Sequence, residues 1–154
     1  MYMALLVVRI RGTVNIPYWA DLTLKNLNLE KKFSATIVPD SPVYVGMLRK
    51  IAEMIAWSKA DSTIVKELFL KKARKIGSDP ISDSDVPNGY GNIEGLVTAI
   101  VEDKVKISEL KNIKPFFRLN PPKGGFRRKT KKAYSDGGIL GKNKELPDLV
   151  RRML

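Results

Sequence analysis

The chain has 154 residues, 44% of them hydrophobic and 29% charged, enough apolar content for one ordinary domain or a small domain with an appendage. Its formal net charge of +12 asks for a polyanionic partner, either nucleic acid or an acidic membrane surface. With no Cys and no His, disulfides, thiolate metal sites, most zinc sites and His-based acid–base chemistry are excluded.

The N-terminal run ALLVVRIR, residues 4–11, reads as a first strand and not as a signal peptide, since it is short and lacks a charged flank and a cleavage site. Alternation puts Leu6, Val8 and Ile10 on one face and Leu5, Val7, Arg9 and Arg11 on the other, and Gly12 ends the strand. In NIPYWADLTLKNLNL, Pro17 suits a first helical turn, and Trp19, Leu22 and Leu29 are expected to face inward. KKFSATIVPD is a second strand stopped by Pro39. Ser41-Pro42 then has the form of a cap and a first-turn proline, opening a helix that spaces Tyr44, Met47, Leu48, Ile51, Met54 and Ile55 at helical intervals. A third strand follows around Ala56 and Trp57. The order β-α-β-α-β within 60 residues is satisfied economically by a small antiparallel sheet with both helices on one face.

Beyond residue 60 the pattern turns helical. Asp61 or Ser62 caps a helix with Ile64, Val65, Leu68, Phe69 and Ile76 on one stripe, and Lys71, Lys72, Arg74 and Lys75 complement the negative end of its dipole. A turn-rich loop, GSDPISDSDVPNGYGN, leads to a helix whose Ile93, Leu96, Val97, Ile100 and Val101 follow helical spacing closely. ISELKNI adds a short helical turn, and ELPDLVRRML is a terminal helix docking Leu149, Val150 and Leu154. No internal repeat and no membrane-length apolar run is present.

The charge is unevenly placed. Residues 1–114 carry 17 Lys/Arg against 13 Asp/Glu, whereas residues 115–154 carry 11 against 3. The densest stretch puts Arg127, Arg128, Lys129, Lys131 and Lys132 within six residues, with Asp136 the nearest acid in sequence. A bare Lys/Arg run is as readily a solvated tail as a binding site. Here Phe116, Phe117, Phe126 and Tyr134 are interleaved with the cations, and Gly124-Gly125 and Gly137-Gly138 let the backbone approach a partner. Cations neutralise phosphates while rings and guanidinium planes stack on unpaired bases, so residues 115–141 read as an irregular RNA-binding arm.

The other chemical candidates are weaker. Asp79, Asp83 and Asp85 do not have the spacing of a calcium loop, and a solvated capping loop explains them better. The glycine pairs lack the Gly-Lys-Ser/Thr ending of a phosphate loop. The serines have no histidine base. No catalytic constellation and no cofactor site emerges, and the expectation is a protein that is not an enzyme.

The stretch FFRLNPPKGGFRRKTKKAYSDGGILG resembles the C-terminal signature of the archaeal and eukaryotic type of the L-thirty family of large-subunit ribosomal proteins, and VVRIRG and VGMLRKI are similar to that family's N-terminal domain. The resemblance covers essentially the whole chain. It implies an α+β fold: a small ferredoxin-like β-α-β-α-β domain at residues 1–60, then a mainly helical extension at 61–154 that contains the basic arm. It implies a cytoplasmic structural constituent of the large subunit that binds ribosomal RNA near the 5S region and meets neighbouring ribosomal proteins, with no membrane and no small-molecule substrate. The candidate RNA-binding residues are Arg9, Arg11, Arg118, Lys123, Gly124, Gly125, Phe126, Arg127, Arg128, Lys129, Lys131, Lys132, Gly137, Gly138 and Lys142. A non-ribosomal RNA-binding or assembly protein stays open as the alternative. A peripheral membrane protein is disfavoured by the lack of a cysteine or a Gly at position 2 to carry a lipid.

Overall fold

The computed structural model describes residues 4–12, 16–77, 79–81, 89–110 and 113–154. Among them lie six strands and five α-helices. The first three strands are β1 (Leu5–Arg9), β2 (Ser34–Val38) and β3 (Ile55–Lys59), joined through α1 (Tyr18–Asn26) and α2 (Pro42–Lys50). Then come α3 (Ser62–Lys71), α4 (Ile93–Val101), β4 (Phe117–Arg118), β5 (Lys129–Ala133), β6 (Gly138–Lys142) and α5 (Leu146–Met153). The strands make one sheet in the order β4-β2-β1-β3-β6-β5. β1 is central and antiparallel to both β2 and β3, with Val7 opposite Thr36 on one side and Trp57 on the other.

Both faces of the sheet are covered, which explains why β1 reads as an almost unbroken apolar run. Leu5 and Val7 pack under α1 and α2 with Ala20, Leu24, Leu48, Ile51, Ile55 and Trp57. Leu6, Val8 and Ile10 face the opposite way, into a larger core with α3, α4 and α5. The expected alternation of β1 therefore holds, and so does the placing of the first two helices on one face. The fold is α+β in the sense expected, and the helical extension forms the third layer.

Local signals account for the helix starts. Ser41 Oγ accepts the Tyr44 N–H at 3.5 Å, with Pro42 in the first turn of α2. Asp61 accepts the Thr63 N–H at 3.2 Å to open α3, and Asn92 accepts the Gly95 N–H at 2.9 Å to open α4. Ile64, Val65, Leu68 and Phe69 are buried along α3, and all five predicted stripe residues of α4 are buried. Lys66 and Glu94 join the two helices on their exposed side. ISELKNI contributes a 3-10 turn at Ile107–Glu109. Leu149 and Val150 dock α5 as expected, together with Leu146 and Met153.

Four local expectations are corrected. α1 turns Ala20, Thr23 and Leu24 inward, leaving Trp19 and Leu22 nearly half exposed, because helical spacing puts the first three on one face and Trp19 and Leu22 off it. α2 ends at Lys50, so Ile55 belongs to β3 and not to the helical stripe. Ile76 lies beyond α3 and is exposed.

The largest correction concerns residues 115–141, which are not a detached irregular arm. β4 pairs with β2 through Ala35 opposite Phe117, and β6 runs parallel to β3 through Ala56 opposite Gly141. Phe117 is fully buried, edge-on to Phe69 with ring centroids 5.3 Å apart, and Leu119, Ile139 and Leu140 join the same core. The sheet thus continues past residue 60 into the C-terminal part of the chain. Strands of two to five residues, each with one or two core side chains, carry too little periodicity to announce themselves.

Candidate nucleic-acid interface

The basic cluster sits on one margin of the sheet. β5 is the edge strand and pairs only with β6, with an irregular register between Lys129 and Ala133. Lys129, Lys131 and Lys132 are all exposed on this irregular strand, as is Arg127 just before them. Among the described residues no carboxylate lies within ion-pair distance of Arg127, Lys129, Lys131 or Lys132. Mutual repulsion along this edge also keeps it from pairing with another sheet.

Arg128 departs from its neighbours. Its Nε donates to Glu145 Oε2 at 2.8 Å, and its guanidinium lies 4.8 Å from the centre of the Tyr134 ring. Sequence distance hid this acid, which the turn from β6 into α5 brings back to the cluster. Four of the five clustered cations are therefore uncompensated, not five.

The loop leading into β5 is tied to α5. Lys123 N–H donates to the Arg152 carbonyl at 2.9 Å, and Arg152 Nη1 donates back to the Gly125 carbonyl at 2.7 Å. Gly124 and Gly125 take positive φ of 77° and 75°, a conformation that side chains resist, and the Gly125 N–H closes the turn onto Pro122 at 3.0 Å. Lys123 is held exposed at this turn. Phe126 is half-buried against Phe33, ring centroids 6.0 Å apart, so it anchors the loop and is not a wholly free stacking ring. Phe33 itself has a positive φ of 63°, and Lys32 lies over its ring at 5.0 Å. Neither residue stands out in the sequence, where both read as part of the second strand, which in the structure starts only at Ser34.

The remaining predicted glycines serve the backbone. Gly137 ends the 3-10 turn Tyr134–Asp136. At Gly138 a Cβ would fall 1.9 Å from the Lys132 carbonyl oxygen, so its smallness allows β5 to cross β6. Lys142 is exposed at the end of β6, and Arg118 is exposed on β4, at the opposite margin of the sheet.

Arg9 is not placed for an RNA contact. It is fully buried, with Nη1 donating to the Leu29 and Glu30 carbonyls at 2.7 and 2.8 Å and Nε donating to Arg11 O at 3.0 Å. Desolvation pushes its pKa below the ordinary value, and Asp21 offsets part of that shift. The shared parity with Leu5 and Val7 puts Arg9 under the α1 layer, where it holds the chain leaving that helix. Arg11, two residues on, has emerged from the sheet and is exposed.

A second basic region, marked in the sequence only piecemeal by Phe116, Arg118 and the helix-end cations, is a cleft of about 510 Å³ at the β4 margin. Lys72, Arg74, Lys114, Phe116, Arg118 and Asn120 line it. Among the described residues no group of carboxylates is placed to hold a metal ion, and no helix is long and apolar enough to cross a membrane. Asp79 is exposed, while Asp83 and Asp85 lie outside the described residues.

The chain is similar over most of its length to proteins of a known family. The sequence model of the family described as ribosomal protein L30p/L7e matches residues 5–55, which span β1 to the start of β3. Large ribosomal subunit protein uL30 of Nitrosopumilus maritimus is 44% identical over 155 residues, covering 100% of both chains. The proteins of the same name from Cenarchaeum symbiosum and Staphylothermus marinus are 41% and 42% identical, covering 98% and 96% of each chain.

Proposed function

Since the chain belongs to the ribosomal protein L30p/L7e family, we propose that it is a non-catalytic structural constituent of the large ribosomal subunit, fastened to ribosomal RNA by its β5 margin. The observation that carries the RNA contact is the row of four uncompensated cations, Arg127, Lys129, Lys131 and Lys132, on and just before an edge strand paired with β6. Such a row gains free energy by releasing counterions from phosphates, and its fixed spacing lowers the entropy lost on binding.

Around this row, Lys123, Lys142 and the exposed face of Phe126 extend the contact, while Gly124 and Gly125 shape the turn that presents Lys123. Arg128 adds its exposed part while bound to Glu145. Gly137 and Gly138 act by setting the path of β5 and β6. Arg11 and Arg118 widen the basic surface away from that margin. The contact lies near the 5S region of the subunit, a placing that rests on the likeness of the C-terminal motif to the family signature.

The reading is tested on large subunits washed at high salt. A structural constituent co-sediments with the washed subunit at one copy per particle, whereas an assembly factor is lost. Chemical footprinting of the washed subunits with and without the protein then reports the nucleotides covered. Protection confined to regions distant from 5S rRNA would refute the finer placing and leave the ribosomal role intact.

A further inference from the structure

The cleft at the opposite margin of the sheet has a composition that the β5 surface does not account for. Its two walls come from distant parts of the chain. The Lys114 N–H donates to the Arg74 carbonyl at 2.9 Å, which brings the chain after the 3-10 turn alongside the end of α3. The Thr36 hydroxyl then donates to the Pro115 carbonyl at 2.9 Å, and Phe117 is locked in the core. Phe116 is thereby fixed between two anchors. It lies in the bend just before β4, is only partly buried and lines the same cleft as Arg118.

Among the described residues the charged lining is all cationic: Lys72, Arg74, Lys114 and Arg118 line the cleft beside the ring, with no described carboxylate among them. Arg74 donates to the Lys71 and Ala73 carbonyls at 3.2 and 2.9 Å, so the helix end already positions its guanidinium. Phe116 and Arg118 also wall a smaller neighbouring cleft lined by Asn28, Glu30, Lys31 and Ser34, which adds an amide able to donate and accept hydrogen bonds and one carboxylate beside one lysine. A volume of about 510 Å³ is within the range of sites for small organic groups. A flat ring with a ring of cations is what an unpaired nucleotide needs: a base to stack and flanking phosphates to neutralise.

We propose that this cleft takes an extruded, unpaired nucleotide of RNA, its base stacked on Phe116 and the adjoining phosphates on Lys72, Arg74, Lys114 and Arg118. The proposal rests on the RNA-binding reading and adds a second contact on the far side of the sheet from β5. An acidic peptide would satisfy the cations while leaving the ring without a flat partner, so RNA is the better match.

The test uses the full-length protein with a fluorescein-labelled oligouridylate and, separately, with large-subunit ribosomal RNA, each titrated at several salt concentrations. Phe116→Leu retains apolar packing at a half-exposed position and removes the flat ring. It should weaken oligouridylate binding roughly 5- to 150-fold with an unchanged salt slope. Phe116→Tyr keeps a ring and should bind like the parent. Lys72→Gln with Arg118→Gln should flatten the slope by about 1.4, from two single-strand phosphates. Removing the four β5 cations serves as the independent arm. If that variant loses ribosomal RNA affinity while Phe116→Leu binds both probes like the parent, the RNA reading stands and the nucleotide site is refuted. Parental RNA affinity in the cleft variants, with an acidic protein lost from purified subunits, assigns the cleft to protein and also overturns the proposal. If neither the cleft variants nor the β5 variant alters binding to either RNA, both readings fall.

Discussion

At the scale of single residues, charge and burial decide roles that residue type leaves open. Arg9 and Arg127 are both arginines in or beside strands, yet the first is enclosed with three carbonyls and the second faces solvent. Arg9→Met should therefore cost on the order of 3 kcal/mol in chemical denaturation, because the Leu29 and Glu30 carbonyls lose a charged donor. Its salt dependence of RNA binding should match the parent, which a phosphate contact would not allow. Gly138 is set by space: a methyl group there meets the Lys132 carbonyl, so Gly138→Ala should destabilise by about 1–3 kcal/mol and loosen β5, read as faster amide exchange at Lys131 and Lys132. Asp103 is set by solvation. Burial raises its pKa from the ordinary 3.8, with Asp40 adding to the rise and Lys106 opposing it. A raised carboxyl pKa favours the fold at low pH and loses that favour as pH climbs through the folded value. Asp103→Asn, which also suits the positive φ of 62° at this position, should raise the thermal midpoint at neutral pH. The gain should shrink on acidification, and a gain that grew toward low pH would contradict the sign.

At the scale of elements, the helices and the first three strands were readable because each repeats its signal several times. The stripe from Ile93 to Val101, the Ser41 cap and the apolar run of β1 all behave as their patterns require. What escaped were elements whose meaning comes from elsewhere in the fold. β4 has two residues, and only its pairing with Ser34 and Ala35 makes it a strand. Bulk points to Trp19 as the inward residue of α1, whereas helical spacing puts Ala20, Thr23 and Leu24 on the buried face. The same gap affects the site: in sequence Arg128 looks like its neighbours, and only the fold brings Glu145 to it, just as only the fold sets Phe116 beside Arg74 and Lys114. One experiment measures how far the C-terminal strands belong to the core. A chain ending at Lys114 loses β4, β6 and α5, exposing Phe69 and the β3 edge, and should lack a cooperative denaturation transition. Phe117→Ala in the full chain should cost about 3–5 kcal/mol. A truncated chain that still unfolded cooperatively would restore the detached arm.

At the scale of the whole molecule, the fold separates a neutralised interior from charged margins. The three layers take up the apolar stripes, so apart from the buried Arg9 the cationic excess is carried on the outside, with two basic concentrations at opposite ends of a six-stranded sheet. A rigid sheet with cations at both ends is suited to holding two RNA segments at a fixed separation, which is structural work without chemistry. The electrostatic share of that work is measurable for the isolated protein on large-subunit ribosomal RNA. If Arg127, Lys129, Lys131 and Lys132 each contact one phosphate, replacing all four by alanine should flatten the slope of log K against log[salt] by about 3, at ~0.7 to 0.9 per phosphate. Arg128→Ala should change the slope by less than a full phosphate, because its guanidinium is already shared with Glu145. It should instead release Glu145 and loosen the junction between β6 and α5, a stability change within about 1 kcal/mol for so exposed a pair. An unchanged slope in the four-residue variant would mean that the β5 margin is charged to stay soluble and unpaired, and that RNA is held elsewhere.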